Sequence, residues 1–126
     1  MYVTNGRLGP EALFTRVRIF GGWDFKVEEV DRWDFAVNGY ERGVPMGGDL
    51  TSAPIGKSPV FIIRALRDPD GANLDRIQIV KGWLDADGKT HEKVFDVALS
   101  DGRKADSAAR LTQRGVDAMA VSVVLG

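Results

Sequence analysis

Cysteine is absent from this 126-residue chain, and histidine occurs once, at His91. Without a thiol there is no disulfide, no thiolate nucleophile and no thiolate zinc site, so cysteine chemistry is excluded and the redox compartment stays open. A single imidazole cannot complete the zinc motif HExxH that His91 and Glu92 would begin, because its fifth position is Phe95. His91 reads instead as a solvent-facing strand residue. An excess of either charge is also missing: 17 Lys and Arg against 18 Asp and Glu leave a formal charge of -1. That balance supplies no global field for a polyanion, so nucleic acid is not expected as a partner. No apolar run approaches the roughly 20 residues needed to span a bilayer. Met1 is followed by polar residues rather than by a basic segment and an apolar signal core. The expectation is a soluble chain with no membrane association and no targeting segment of its own, its compartment unassigned.

What is present is ordinary globular material. A composition 44% hydrophobic and 28% charged is too apolar for intrinsic disorder. The length suits a single domain over residues 1–126. Residues 75–99, DRIQIVKGWLDADGKTHEKVFDVAL, read as two long strands folded back through an Asp-Ala-Asp-Gly turn at Asp85, Asp87 and Gly88. Ile77, Ile79 and Trp83 would form the apolar face of that hairpin. Phe95, Val97 and Leu99 alternate with Val94, Asp96 and Ala98, so the return strand is expected to be partly covered on both sides. Residues 13–20 form a further strand, with Leu13, Val17 and Ile19 on one face and Arg16 and Arg18 on the other. Gly21 and Gly22 would break it.

Trp23, Val27, Val30, Trp33, Val37 and Tyr40 are spaced by three and four, mostly along one helical stripe, which predicts a short amphipathic helix over residues 26–38. Asp24 would cap it and Gly39 would stop it. Residues 41–58 carry Gly43, Pro45, Gly47, Gly48, Pro54 and Gly56, too much punctuation for a regular element. The run PVFIIRAL at 59–66 is nearly continuous in apolar strand formers, as in a central strand covered on both faces. Residues 101–114 are polar enough to be a mobile loop, and 119–125 are again strand-like. The fold class that satisfies these elements is mainly β, an antiparallel β-sandwich of about six strands with one short amphipathic helix.

The chemistry candidates each have a plain structural reading. Asp68, Asp70, Asn73 and Asp75 cluster around Gly71 and could offer oxygen ligands to calcium, yet the calcium-loop spacing is absent and the same residues build tight turns. The glycines of GVPMGGDL could cradle a phosphate, but no helix signal and no Walker lysine follow, which favours a structural loop. Helical spacing assigns Trp23, Trp33 and Tyr40 to core packing, whereas Phe25 and Phe35 fall off that stripe. Phe25, Phe35 and Trp83, with Asp24, Asp34 and Asp49 as polar anchors, are therefore the candidate ligand-binding residues. No nucleophile, base and orienting group assemble, no catalytic residue is assigned, and no cofactor is implied.

Three blocks resemble a known family: FGGWDF at 20–25, GYERGVPMGGDL at 39–50 and LDRIQIVKGWLDADGKTHEKVFDVALSDGR at 74–103. Together they are similar to the C-terminal part of the family catalogued as domain of unknown function 3604, considered related to the polymerase and histidinol phosphatase superfamily of metal-dependent phosphoesterases. The resemblance covers about residues 2–103, and the tail over 104–126 does not follow the family pattern. In such proteins the resemblance implies that metal ligands belong to an N-terminal catalytic barrel that this chain does not contain, so no ligand carries over to any residue here. The expectation is a truncated homologue: a noncatalytic accessory or protein-interaction module, self-associating as a homo-oligomer or bound to a protein partner. The alternatives are a small-molecule or carbohydrate-binding module and, weaker, a minimal metal-dependent hydrolase using Asp49, Asp68 or Asp70.

Overall fold

The computed structural model describes residues 2–5, 16–66, 74–99, 109–114 and 118–124. The fold is mainly β, with two antiparallel sheets, as the sequence predicts. One sheet has the order β1 (Tyr2–Asn5), β5 (Leu74–Leu84) and β6 (Thr90–Leu99). The other has the order β3 (Val44–Pro45), β2 (Arg16–Gly22), β4 (Val60–Leu66), β8 (Ala118–Val124) and β7 (Ala109–Arg114). The strands beyond those legible in the sequence are all at sheet edges: the short β1 and β3, and β7.

β4 shows how the layers are built. Ile63 and Ala65 face one way, into a core shared with Ile77, Ile79 and Val97 of the three-stranded sheet and with Val121 and Val123 of β8. Ile62 faces the other way, into a second core with Phe20, Phe25, Val30, Phe35 and Ala120. The five-stranded sheet is thus covered on one face by the smaller sheet and on the other by the helical segment. The apolar character of 60–66, interrupted only by Arg64, follows from lying in the middle of three layers.

The β5–β6 hairpin forms where predicted, with Trp83 opposite His91 and Leu84 opposite Thr90. Gly88 N–H donates to the Asp85 carbonyl at 3.1 Å, and Gly88 has φ +77°, the left-handed position that lets the tight turn close. Toward the base the register shifts between Ile77 and Gln78, so that Ile77 pairs with Ala98 but Gln78 with Asp96. This bulge leaves Val97 without an opposite residue and turns Val97, Ala98 and Leu99 all into buried positions. The coverage of both sides expected for this strand follows from it.

Three local expectations are corrected. The segment predicted as a helix over 26–38 is two pieces, a 3-10 turn at Val27–Asp31 and α1 at Phe35–Arg42. Arg32 between them is extended, with ψ 148°, which breaks the phase of the stripe. Asp34 rather than Asp24 stands at the N-cap position, and α1 runs through Gly39 to end at Gly43, whose N–H donates to the Gly39 carbonyl at 3.0 Å. Second, β2 is not broken at Gly21 and Gly22, which pair with Phe61 and Val60 of β4. Third, residues 109–114 are strand rather than loop: β7 pairs along β8, and ladder hydrogen bonds to that strand supply what weak local propensity does not. Residues 100–108, which include most of the same predicted loop, lie outside the described residues.

Candidate functional site

The phase break at Arg32 inverts the aromatic pattern. Phe25 and Phe35 are 6% and 2% exposed, and Phe35 meets the edge of Phe20 with ring centroids 5.5 Å apart. Their rings fill the second core and present no face to solvent. Trp33 is 90% exposed, and Val37 and Tyr40 are exposed too, although their spacing predicted burial. Trp33 stands in the turn before the helix, whereas Val37 and Tyr40 are neighbours at i and i+3 on α1, where Tyr40 also meets the buried Phe20 ring at 4.9 Å.

Charged pairs frame this layer. Glu29, the one buried charged residue among those described, accepts the Lys26 N–H at 2.6 Å and the Arg42 guanidinium. Arg42 also donates to the Asp24 carbonyl at 3.0 Å and lies over the Phe25 ring, which ties the 3-10 turn to the end of α1. The candidate anchors are engaged locally. Asp24 pairs with Lys57, whose hydrogen bond and charge hold the carboxyl below its ordinary value. Asp34 accepts both Arg32 Nε and Nη2, at 2.8 and 2.9 Å, and is lowered chiefly by that hydrogen bonding.

Asp49 is exposed, between Gly48 and Leu50. Those two residues line a concavity of about 330 Å³ with Ile19, Val44, Met46 and Phe61. The lining is apolar and includes no basic side chain, which fits a structural loop rather than a phosphate cradle at GVPMGGDL.

Trp83 lies on the hairpin of the three-stranded sheet, opposite His91. Its indole stacks on His91 at 5.4 Å and 19°, with Lys81 Nζ 5.3 Å from the ring centre. His91 Nε2 lies 2.7 Å from Asp85 Oδ2, and the other Asp85 oxygen accepts the N–H groups of Asp87 and Lys89 at 2.9 Å each. These bonds, the one to His91 first, lower the Asp85 pKa. The structure therefore does not bring Trp83 together with Phe25, Phe35, Asp24 or Asp34, because the five-stranded sheet stands between them. What it brings together at the tip is a Trp-His-Asp cluster that pairing register alone would reveal.

Of the candidate metal ligands, Asp68, Asp70 and Asn73 lie outside the described residues. Asp75 lies at the start of β5 and accepts Arg76 Nε at 2.7 Å. Among the described residues no group of three or more acidic or histidine side chains is placed to hold a metal ion, and no helix is long and apolar enough to cross a membrane.

Comparison with curated proteins and with solved structures finds no match. The model of the family described as "Protein of unknown function (DUF3604)" matches residues 9–123, so the match includes 104–123 of the tail expected to depart from the family pattern. The match spans nearly the whole sequence, and the chain belongs to this family.

Proposed function

We propose that the chain is a noncatalytic accessory module that works by protein contact, and that it associates with a second copy of itself through the outer side of α1. The observation that carries this reading is the exposure of Val37 and Tyr40 in one stripe of α1, the helix whose Phe35 and Gly39 are buried. An apolar stripe of this kind favours association. A formal charge of -1 offers little repulsion between two copies, and a two-fold contact would let the same stripe serve on both. On this reading the chain corresponds to the accessory region of a family related to metal-dependent phosphoesterases, and the hydrolytic chemistry belongs to a catalytic barrel outside these residues.

Sedimentation equilibrium tests the proposal. The wild-type chain is expected to dimerise with rising concentration, and Val37→Lys to remain monomeric with an unchanged unfolding midpoint. A wild-type chain that stays monomeric at high concentration overturns self-association.

A second reading, carbohydrate binding, is favoured by the half-exposed Trp83 ring, 43% accessible and held flat by His91. Flat rings beside hydrogen-bonding groups suit sugar faces. Trp83 fluorescence unchanged by a panel of oligosaccharides would remove it.

A further inference from the structure

We propose that the groove between the outer side of β2 and β4 and the start of α1 binds a small oxyanion, phosphate or carboxylate, attached to a flat ring. Three arginines converge there. Arg16 and Arg18 alternate onto one face of β2, and the antiparallel register sets Arg18 directly opposite Arg64 of β4. Like charges facing each other across a strand pair destabilise it, so such a pairing needs a reason.

Arg64 has a structural part to play. Its guanidinium donates to the Val30 carbonyl, by Nε at 3.1 Å, and to the Arg32 carbonyl at 2.9 Å, while lying 4.3 Å from the centre of the Phe35 ring. This fixes the helical segment to the sheet. Arg16 and Arg18 tether nothing of the kind. Both are exposed, and neither makes a hydrogen bond or ion pair with any described residue. The carboxylate that could have neutralised them from α1, Asp34, is gripped at both oxygens by Arg32. Asp31 has an interaction of its own.

The three arginine side chains line a hollow of about 260 Å³ together with Phe35, Leu66 and Trp33. An indole 90% exposed beside cationic groups presents a stacking face next to a charge-binding floor. Guanidinium forks match carboxylate and phosphate oxygens in pairs, which makes the oxyanion the natural occupant of the floor. The hollow is smaller than most drug-sized pockets, so the ring is a single one rather than a fused cofactor. The near-neutral charge of the whole chain means that this is a local arrangement, not a surface-wide field.

Isothermal titration of the full chain with phenyl phosphate and with benzoate tests the inference, with inorganic phosphate and phenol as half-ligands. Saturable one-to-one binding of either aryl oxyanion is expected, stronger than that of its halves, and their ratio identifies the preferred head group. Arg18→Gln should weaken it by about tenfold or more. Trp33→Ala should weaken the aryl compounds and leave inorganic phosphate unaffected. Val37→Lys should leave binding intact, which keeps this test separate from self-association. No saturable binding of either aryl compound at millimolar concentration, or wild-type affinity in an Arg16→Gln/Arg18→Gln variant that unfolds at the wild-type midpoint, overturns the proposal.

Discussion

Gly39 stands against the ring of Phe20: a Cβ at residue 39 would lie 2.3 Å from Phe20 Cδ2, well inside van der Waals contact. The ring has nowhere to go. Phe20 is 1% exposed and is held edge-on by Phe35 at 5.5 Å and by Tyr40 at 4.9 Å. Helix propensity alone would make Gly39→Ala stabilising by about 1 kcal/mol. Overpacking of a closed core costs about 1–3 kcal/mol and outweighs it. Urea denaturation of Gly39→Ala should therefore show a lower midpoint with an unchanged slope; a higher midpoint would mean that the second core is loose.

The inverted aromatic pattern makes an equally direct prediction. Phe35→Ala empties a site 2% exposed and should destabilise by about 3–5 kcal/mol. Trp33→Ala removes a larger ring from solvent and should change monomer stability by no more than about 0.5 kcal/mol. Thermal unfolding at dilute concentration checks the pair. The reverse order would restore the helical stripe as the buried face.

Which parts of this fold the sequence reveals depends on how local their causes are. Residues 59–66 are legible because three-layer burial leaves its mark on both faces of β4, at Ile62, Ile63 and Ala65, and the hairpin because its turn chemistry sits beside its strands. The orientation of α1 is not, since Trp23 to Tyr40 keep an unbroken spacing while the extended Arg32 shifts the phase, and contact between Phe20 and Gly39 decides which side is buried. Nor is β7, whose ARLTQR gains its conformation from pairing with β8. The outward alternation of Arg16 and Arg18 is visible in sequence. That Arg64 stands opposite Arg18 needs a register set between strands far apart in the chain.

The Glu29–Arg42 pair should respond unequally to loss of its two ends. The Glu29 side chain is 10% exposed and that of Arg42 is 40%, so a guanidinium left alone can take up water whereas a carboxylate left alone cannot. Glu29→Gln keeps an acceptor for the Lys26 N–H and should cost about 1 kcal/mol. Arg42→Met strands the buried charge and should cost about 3 kcal/mol. Denaturant unfolding of both variants and of the double variant gives the coupling. Equal losses from the two single variants would show that Glu29 is hydrated in the folded state.

Asp85 gives the hairpin tip a dependence on acid. In the folded chain its carboxylate accepts from His91, Lys89 and Asp87, so its pKa lies below the 3.8 of a free aspartate. A depressed value means that the folded tip binds a proton less readily than the unfolded chain does. The stabilisation is therefore whole above pH 3.8 and drains as pH falls through the lower folded-state value. Amide exchange at 83–91 should accelerate in that acid range before the five-stranded sheet opens. Asp85→Asn keeps an oxygen for the backbone donors but cannot titrate, and should flatten the acid step at the tip. If the wild-type step survives in Asp85→Asn, another carboxylate controls the turn, and the His91–Asp85 contact has no part in holding Trp83 in place.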